Sequence, residues 1–321
     1  MILNNRHLYG FTLLAVCTSF YFIFPETPLS GSMKIQMDDP VSDSVLQKQR
    51  DSIVFSLNLE YLNGVNDNKT PFELISIIQD ILELDPAQYN HWFNLGMENI
   101  KIHRYEEAIN AFNQGLALYP KGDTHSLLQI YLSLSFCYNK SGKHQLEKEI
   151  LDVAARIFPE HPGVIGRYVI CAHSRVRYAE ADYYKQQLIL ILRSQGMNES
   201  DIAFHLGKLY LTTDYLEAEK HFRTAYQYDP DNVEKMGSLA WVLIRNALKI
   251  DEGMELISRA IEADPNNAIF IHQQGYGFYV LGNYGDALFN LLSARELYKQ
   301  YSYELDNHIQ MVQEALASLV D

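Results

Sequence analysis

Proline spacing is the strongest constraint on what this chain can become. Pro86 and Pro120 lie 34 residues apart, Pro230 and Pro265 lie 35 apart, and Pro159 to Pro230 is 71, close to two such units. Proline cannot sit inside a helix without removing a hydrogen bond and clashing with the preceding turn, so each one marks a helix boundary. Between these marks apolar residues recur at three- and four-residue intervals, and beyond residue 43 no sustained alternating run calls for a strand. A period near 34 residues holds two helices and their turns, so the body reads as an all-helical array of hairpins. A chain of 321 residues with 47% hydrophobic content exceeds the size of one compact core, which agrees with an array.

Within a unit the chain reads Trp92-x-x-Leu95-Gly96, then Ala108-x-x-x-Phe112, closing with Tyr119-Pro120. Gly96 and Ala108 are small where two antiparallel helices would approach, and Trp92, Leu95 and Phe112 would fill the space around that contact. The turn falls at His103-Arg104-Tyr105, followed by Glu106 and Glu107, suited to a helix N-terminus. This pattern resembles the tetratricopeptide repeat family, with Asn99 standing where that family usually has tyrosine.

The pattern returns at Leu206-Gly207-x-x-Tyr210 with Ala218-x-x-x-Phe222 and Asp229-Pro230, where the spacing across the turn is one residue shorter. It returns again at Gly275-x-x-Phe278, Leu281-Gly282-Asn283-Tyr284, Ala287 and Ala294. Two further units keep part of it: Tyr131 to Tyr138 with Ala154 and Pro159, and Leu239-Ala240-Trp241 with Ala260 and Pro265. The stretch 162–196 keeps only Tyr178-Ala179-Glu180-Ala181 as its turn. Residues 43–62 and 71–84 read as a divergent first hairpin, and 301–319 as an amphipathic closing helix of the kind an array needs to cover its last apolar face. The resemblance covers roughly 43–319, domain 43–321. It implies a right-handed superhelical solenoid of about seven antiparallel hairpins with a capping helix, its concave surface lined by the first helix of each hairpin.

Ahead of the array, Leu8 to Phe24 (LYGFTLLAVCTSFYFIF) carries no charge and ends at Pro25. A spanning helix needs roughly 17–25 apolar residues and a cleaved signal about 7–15, so residues 1–24 read as an uncleaved membrane anchor. Arg6 before it and Asp38 and Asp39 after it place the repeat domain on the extracytoplasmic, periplasmic side. Two alternatives stay open: cleavage within Ser30-Gly31-Ser32 giving a secreted protein, and lipid attachment at Cys17. Residues 25–42, with three prolines, read as a flexible linker.

The chemistry implied is slight. A net charge of -14 would repel a phosphate backbone, which argues against nucleic acid. The three cysteines, Cys17, Cys137 and Cys171, make no metal or disulfide pattern, and the last two read as small apolar packing groups. Eleven histidines include no pair at metal-binding spacing, and Gly275-Tyr276-Gly277 lacks the preceding strand of a nucleotide loop. Neither an enzyme nor a cofactor or metal is expected. If first helices line a groove, its residues are Phe93, Met97 and Lys101; Phe136 and Lys140; Phe204 and Lys208; then Trp241, Arg245, His272, Tyr276 and Tyr279. Aromatic and basic together on an acidic chain suit a protein or extended peptide with acidic residues, captured at a membrane surface for an assembly, secretion or maturation complex. The Lys and Asn set with which the family grips chaperone tails is not reproduced. Stacking of Trp241, Tyr276, Tyr279 and Phe204 on envelope polysaccharide, and self-association into a homo-oligomer through 162–196, are the rival readings.

Overall fold

A computed structural model describes residues 40–319 apart from 248, with side chains from Asp43 onward. The expected anchor at 8–24, Cys17 and most of the expected linker lie outside the described residues; the first helix begins at Pro40, inside the last three positions assigned to that linker. Among the described residues the fold is all helical. The elements are α1 Pro40–Asn66, α2 Pro71–Leu84, α3 Tyr89–Lys101, α4 Tyr105–Leu118, α5 Leu127–Lys140, α6 His144–Ile157, α7 Pro162–Ser174 and α8 Tyr178–Ser194. They continue as α9 Glu199–Tyr210, α10 Tyr215–Tyr228, α11 Val233–Asn246, α12 Ile250–Ala263, α13 Ala268–Val280, α14 Tyr284–Leu297 and α15 Tyr303–Ala317. Neighbouring helices pair as hairpins at α1–α2 and α3–α4, and again at α7–α8, α9–α10, α11–α12 and α13–α14, with α15 closing on α14. The chain divides between Leu146 and Glu147 into two compact units.

Helix starts follow from local chemistry. Thr70 and Glu73 form a reciprocal capping box around Pro71, the Thr70 N–H donating to Glu73 Oε2 at 2.8 Å. Asp229-Pro230 and Asp264-Pro265 each end a helix, and Asn232 and Asn267 just beyond them cap the next one through their side-chain oxygens. Hairpin turns repeat one device. His103, Gly142, Val176 and Gly282 all have φ between 59° and 79°. Each N–H bonds back into the last helical turn, as do those of Arg104, Lys143, Arg177 and Asn283 that follow. The turn of the 162–196 hairpin is therefore Arg175-Val176-Arg177, and Tyr178 already opens α8. The α9–α10 connection, 211–214, has no left-handed residue.

Val176 is a β-branched residue in a left-handed conformation and is 68% exposed, so its side chain gains nothing to offset the strain. Left-handed backbone costs an L-residue about 1–2 kcal/mol, against about 0.5–1 for the extra freedom of an unfolded glycine. Val176→Gly is expected to raise stability by about 0.5–1 kcal/mol, seen as a higher urea midpoint at unchanged slope.

In the first unit, residues 40–146, the α3–α4 hairpin is built on two sockets. A Cβ at Gly96 would stand 2.5 Å from the Phe112 ring, and one at Gly115 would strike the ring of Phe93. Each helix therefore receives an aromatic ring from the other. Phe93 and Phe112 are both fully buried, with Leu74, Ile78, Ile81, Ile130 and Leu134 completing the core. In the second unit, residues 147–319, Gly207 receives Phe222 in the same way, and Gly237 of α11 receives Phe270 of α13. Its core also contains charge. Glu147 of α6 and Arg167 of α7 pair at 2.6 Å with side chains 0% and 3% exposed. Cys171, buried beside them, has its thiol pushed up to about 12 by burial and by Glu147, and Cys137 is buried too, so both thiols are packing groups.

Candidate functional site

The expected groove residues divide between the two units. In the first, Phe93 is corrected outright: it is fully buried in the Gly115 socket, between Tyr89 and Tyr119, and offers no surface. Met97 is half-buried and its sulfur accepts from the Ser133 hydroxyl at 3.7 Å. Lys101 is tied to Glu98 at 2.8 Å, the Glu98 carboxyl being held above its ordinary range by burial. Phe136 meets Tyr105 edge-on, and the exposed Lys140 ammonium lies 5.8 Å from the Phe136 ring centre.

In the second unit Phe204 and Lys208 are also packing residues. The Lys208 ammonium sits 4.0 Å over the Phe204 ring and 2.6 Å from Glu234, with both residues buried. Burial lowers the Lys208 pKa, and the pair joins α9 to α11. Of the expected basic groove residues, Lys101, Lys208 and Arg245 each already face a carboxylate.

The remaining five residues come together. Trp241 and Arg245 on α11 face His272, Tyr276 and Tyr279 on α13. The Trp241 ring packs edge-on to Tyr276 at 5.5 Å, and Tyr276 continues to Tyr279 at 6.1 Å. Trp241 and His272 are mostly buried, whereas Tyr276 and Tyr279 are half-buried. The exposed Arg245 guanidinium lies 5.3 Å from the Trp241 ring centre and 5.6 Å from that of Tyr215 at the start of α10. It is held in place by two aromatic faces, which is how a planar cation is oriented for a carboxylate. A carboxylate is already there: Glu304 Oε1 of α15 lies 2.8 Å away, in a pair that is 37% and 43% exposed. Such a pair contributes at most about 1 kcal/mol and exchanges readily.

The closing helix supplies what the sequence reading missed. His308 of α15 stacks on Tyr276 at 4.3 Å and meets His272 at 2.8 Å. Tyr298, just past α14, reaches His272 at 3.2 Å, its hydroxyl pKa raised by burial. His308 falls in register with Leu305, Ile309 and Val312, which places it on the apolar face, and that register was visible in the sequence. Among the described residues no group of three or more His, Cys, Asp or Glu could hold a metal.

Residues 92–121, which span α3 and α4, match the family model for the tetratricopeptide repeat. No curated protein matches the chain. Among solved structures the chain is similar to yeast Tom70, at 14% identity and a TM-score of 0.52 over 85% of this chain and 55% of that one. It is similar as well to a tetratricopeptide repeat protein from Parabacteroides merdae, at 14% identity and a TM-score of 0.46 over 81% of this chain and 98% of that one. The likeness to Tom70 is one of fold. Tetratricopeptide repeats are in general protein-interaction scaffolds.

Proposed function

We propose that this chain is a non-enzymatic scaffold that recruits a protein partner through an extended segment bearing a carboxylate. The observation that carries the reading is the exposed Arg245 guanidinium held between Trp241 and Tyr215, beside the half-buried rings of Tyr276 and Tyr279. Rings of that kind take an apolar side chain or a backbone stretch, and the guanidinium takes an acidic group two parallel hydrogen bonds at a time. The five expected groove residues that come together all lie in the second unit, so the reading rests there. Arg245→Glu combined with Tyr276→Ala is expected to lower recovery of the partner at least tenfold with the helical content unchanged. Unchanged recovery would remove this face from the account.

The same proposal takes the uncharged apolar stretch at 8–24 as a membrane anchor, with the repeats on the extracytoplasmic side. Among the described residues no helix is long and apolar enough to cross a membrane, so this part of the reading rests on 8–24 alone. Retention of the full chain in the membrane fraction through alkaline extraction is the expected result, and its release would contradict the anchor.

A further inference from the structure

The closing helix α15 is fastened to the array by two kinds of contact. Leu305, Ile309 and Val312 pack on Ala287, Leu291 and Ala294 of α14. Beside that apolar seam runs a polar chain from Tyr298 Oη to His272 Nδ1 at 3.2 Å and from His272 Nε2 to His308 Nδ1 at 2.8 Å. His272 and His308 are only 5% and 9% exposed, so the chain is closed off from water.

Hydrogen bonding fixes how protons sit in such a chain. With both rings neutral, the Tyr298 hydroxyl donates to His272 Nδ1, His272 Nε2–H donates to His308 Nδ1, and His308 keeps its proton on Nε2. The first added proton fits on His272 Nδ1, with the Tyr298 hydroxyl turned to accept it, or on His308 Nδ1 with His272 Nε2 left bare, and in either place it puts a charge in a pocket closed off from water. A second added proton would set two N–H groups against each other at 2.8 Å. The charged groups facing the pair are Arg245 from α11, which opposes protonation, and Glu304 from α15, which favours it. Tyr276 from α13 and Tyr298 beyond α14 face it as neutral phenols. Burial outweighs all of these and holds His272 down to about 3 and His308 down to about 4.

We propose that His272 and His308 form a proton-operated latch, which locks α15 onto α13 when neutral and releases it, with Glu304, when protonated. The latch stands on the geometry of the pair. Its consequence for binding rests on the function proposed above: release of Glu304 leaves Arg245 open to a ligand carboxylate, so acidification would favour the partner. The sign follows from linkage. With α15 released, its His308 and the His272 it covered on α13 titrate near about 6.5, and with α15 docked both lie far lower, so between about pH 6.5 and about pH 4 the released form binds more protons. Docking therefore weakens on acidification, by about tenfold per pH unit for each proton taken up.

Hydrogen exchange of the full chain at pH 7.5 and pH 5, corrected for the intrinsic rate, tests this without any partner, so failure of partner recovery leaves it untouched. The amides of 303–317 are expected to lose at least tenfold protection at pH 5 while α9 and α10 keep theirs. In the double variant His308→Asn, His272→Gln, whose amides can hydrogen-bond but cannot titrate, the loss is expected to vanish. Unchanged protection of 303–317 at pH 5 in the wild type, or an equal loss in the double variant, would overturn the latch. Should the double variant lose its helices at pH 7.5, the wild-type comparison of 303–317 with α9 and α10 decides.

Discussion

Arg167→Met is expected to destabilise the unit 147–319 by about 3–5 kcal/mol, although methionine is a flexible apolar side chain that suits a core. The cause is the partner left behind. Glu147 is completely buried and its carboxylate pairs with Arg167 at 2.6 Å, so removing the guanidinium strands a negative charge in an apolar interior next to Cys171. Removing both charges is a different experiment. Arg167→Met with Glu147→Leu is expected to recover most of the loss, because well-packed apolar groups replace a buried ion pair at little or no net cost. Chemical denaturation of the three proteins checks this, and a single-variant loss under about 1 kcal/mol would show that water reaches the pair.

Gly207→Ala is expected to destabilise by about 1–3 kcal/mol, against the ordinary gain of up to about 1 kcal/mol from replacing a helical glycine by alanine. The added Cβ would stand 2.5 Å from the fully buried Phe222 ring, which also packs against Phe204. Gly285 in the first turn of α14 is the control. Nothing lies within 4 Å of a Cβ there, so Gly285→Ala is expected to stabilise by about 0.4–1 kcal/mol. Phe222→Ala, which empties the socket, is expected to cost about 3–5 kcal/mol, and combining it with Gly207→Ala is expected to cost less than the sum of the two. Equal signs at Gly207 and Gly285 would contradict the socket.

The features readable in the sequence are those set by neighbours within one hairpin. The period of Pro86, Pro120, Pro230 and Pro265, the approach of Gly96 to Phe112 and the first hairpin ending at Asp85-Pro86 all depend on separations that one helix pair fixes. Contacts made across hairpins were not readable. Lys208 has the spacing of a surface residue on α9, and only the fold shows Glu234, 26 residues on, neutralising it. Phe93 was read as a groove residue because its register on α3 is shared by surface and core in a short helix; Gly115, 22 residues later, decides for the core. The stretch 162–196 looked irregular for a related reason. Lys185 stands where an aromatic would pack in the repeat pattern, and Val176 occupies the turn where glycine would announce itself, yet α7 and α8 form a regular hairpin.

At the candidate site, Trp241, Arg245, His272, Tyr276 and Tyr279 were legible as one set because α11 and α13 repeat the same register. Tyr215, Tyr298, Glu304 and His308 were not, since they come from a helix start, a chain segment beyond α14 and the closing helix. The 34-residue period does not align residues that stand outside the repeat; for His308 the sequence offers only its register with Leu305, Ile309 and Val312 on the apolar face of its own helix.

Site-resolved photo-cross-linking in cells is the most direct test of recruitment through the Trp241, Arg245, Tyr276 and Tyr279 face. A photoreactive phenylalanine analogue is placed at Tyr279 or, as a reference, at Tyr183 of α8, which is 60% exposed. The account predicts one discrete protein adduct from position 279, lost when Arg245→Glu is added, and none from position 183. Adducts of equal yield from 183, or adducts from 279 that survive Arg245→Glu, would contradict it.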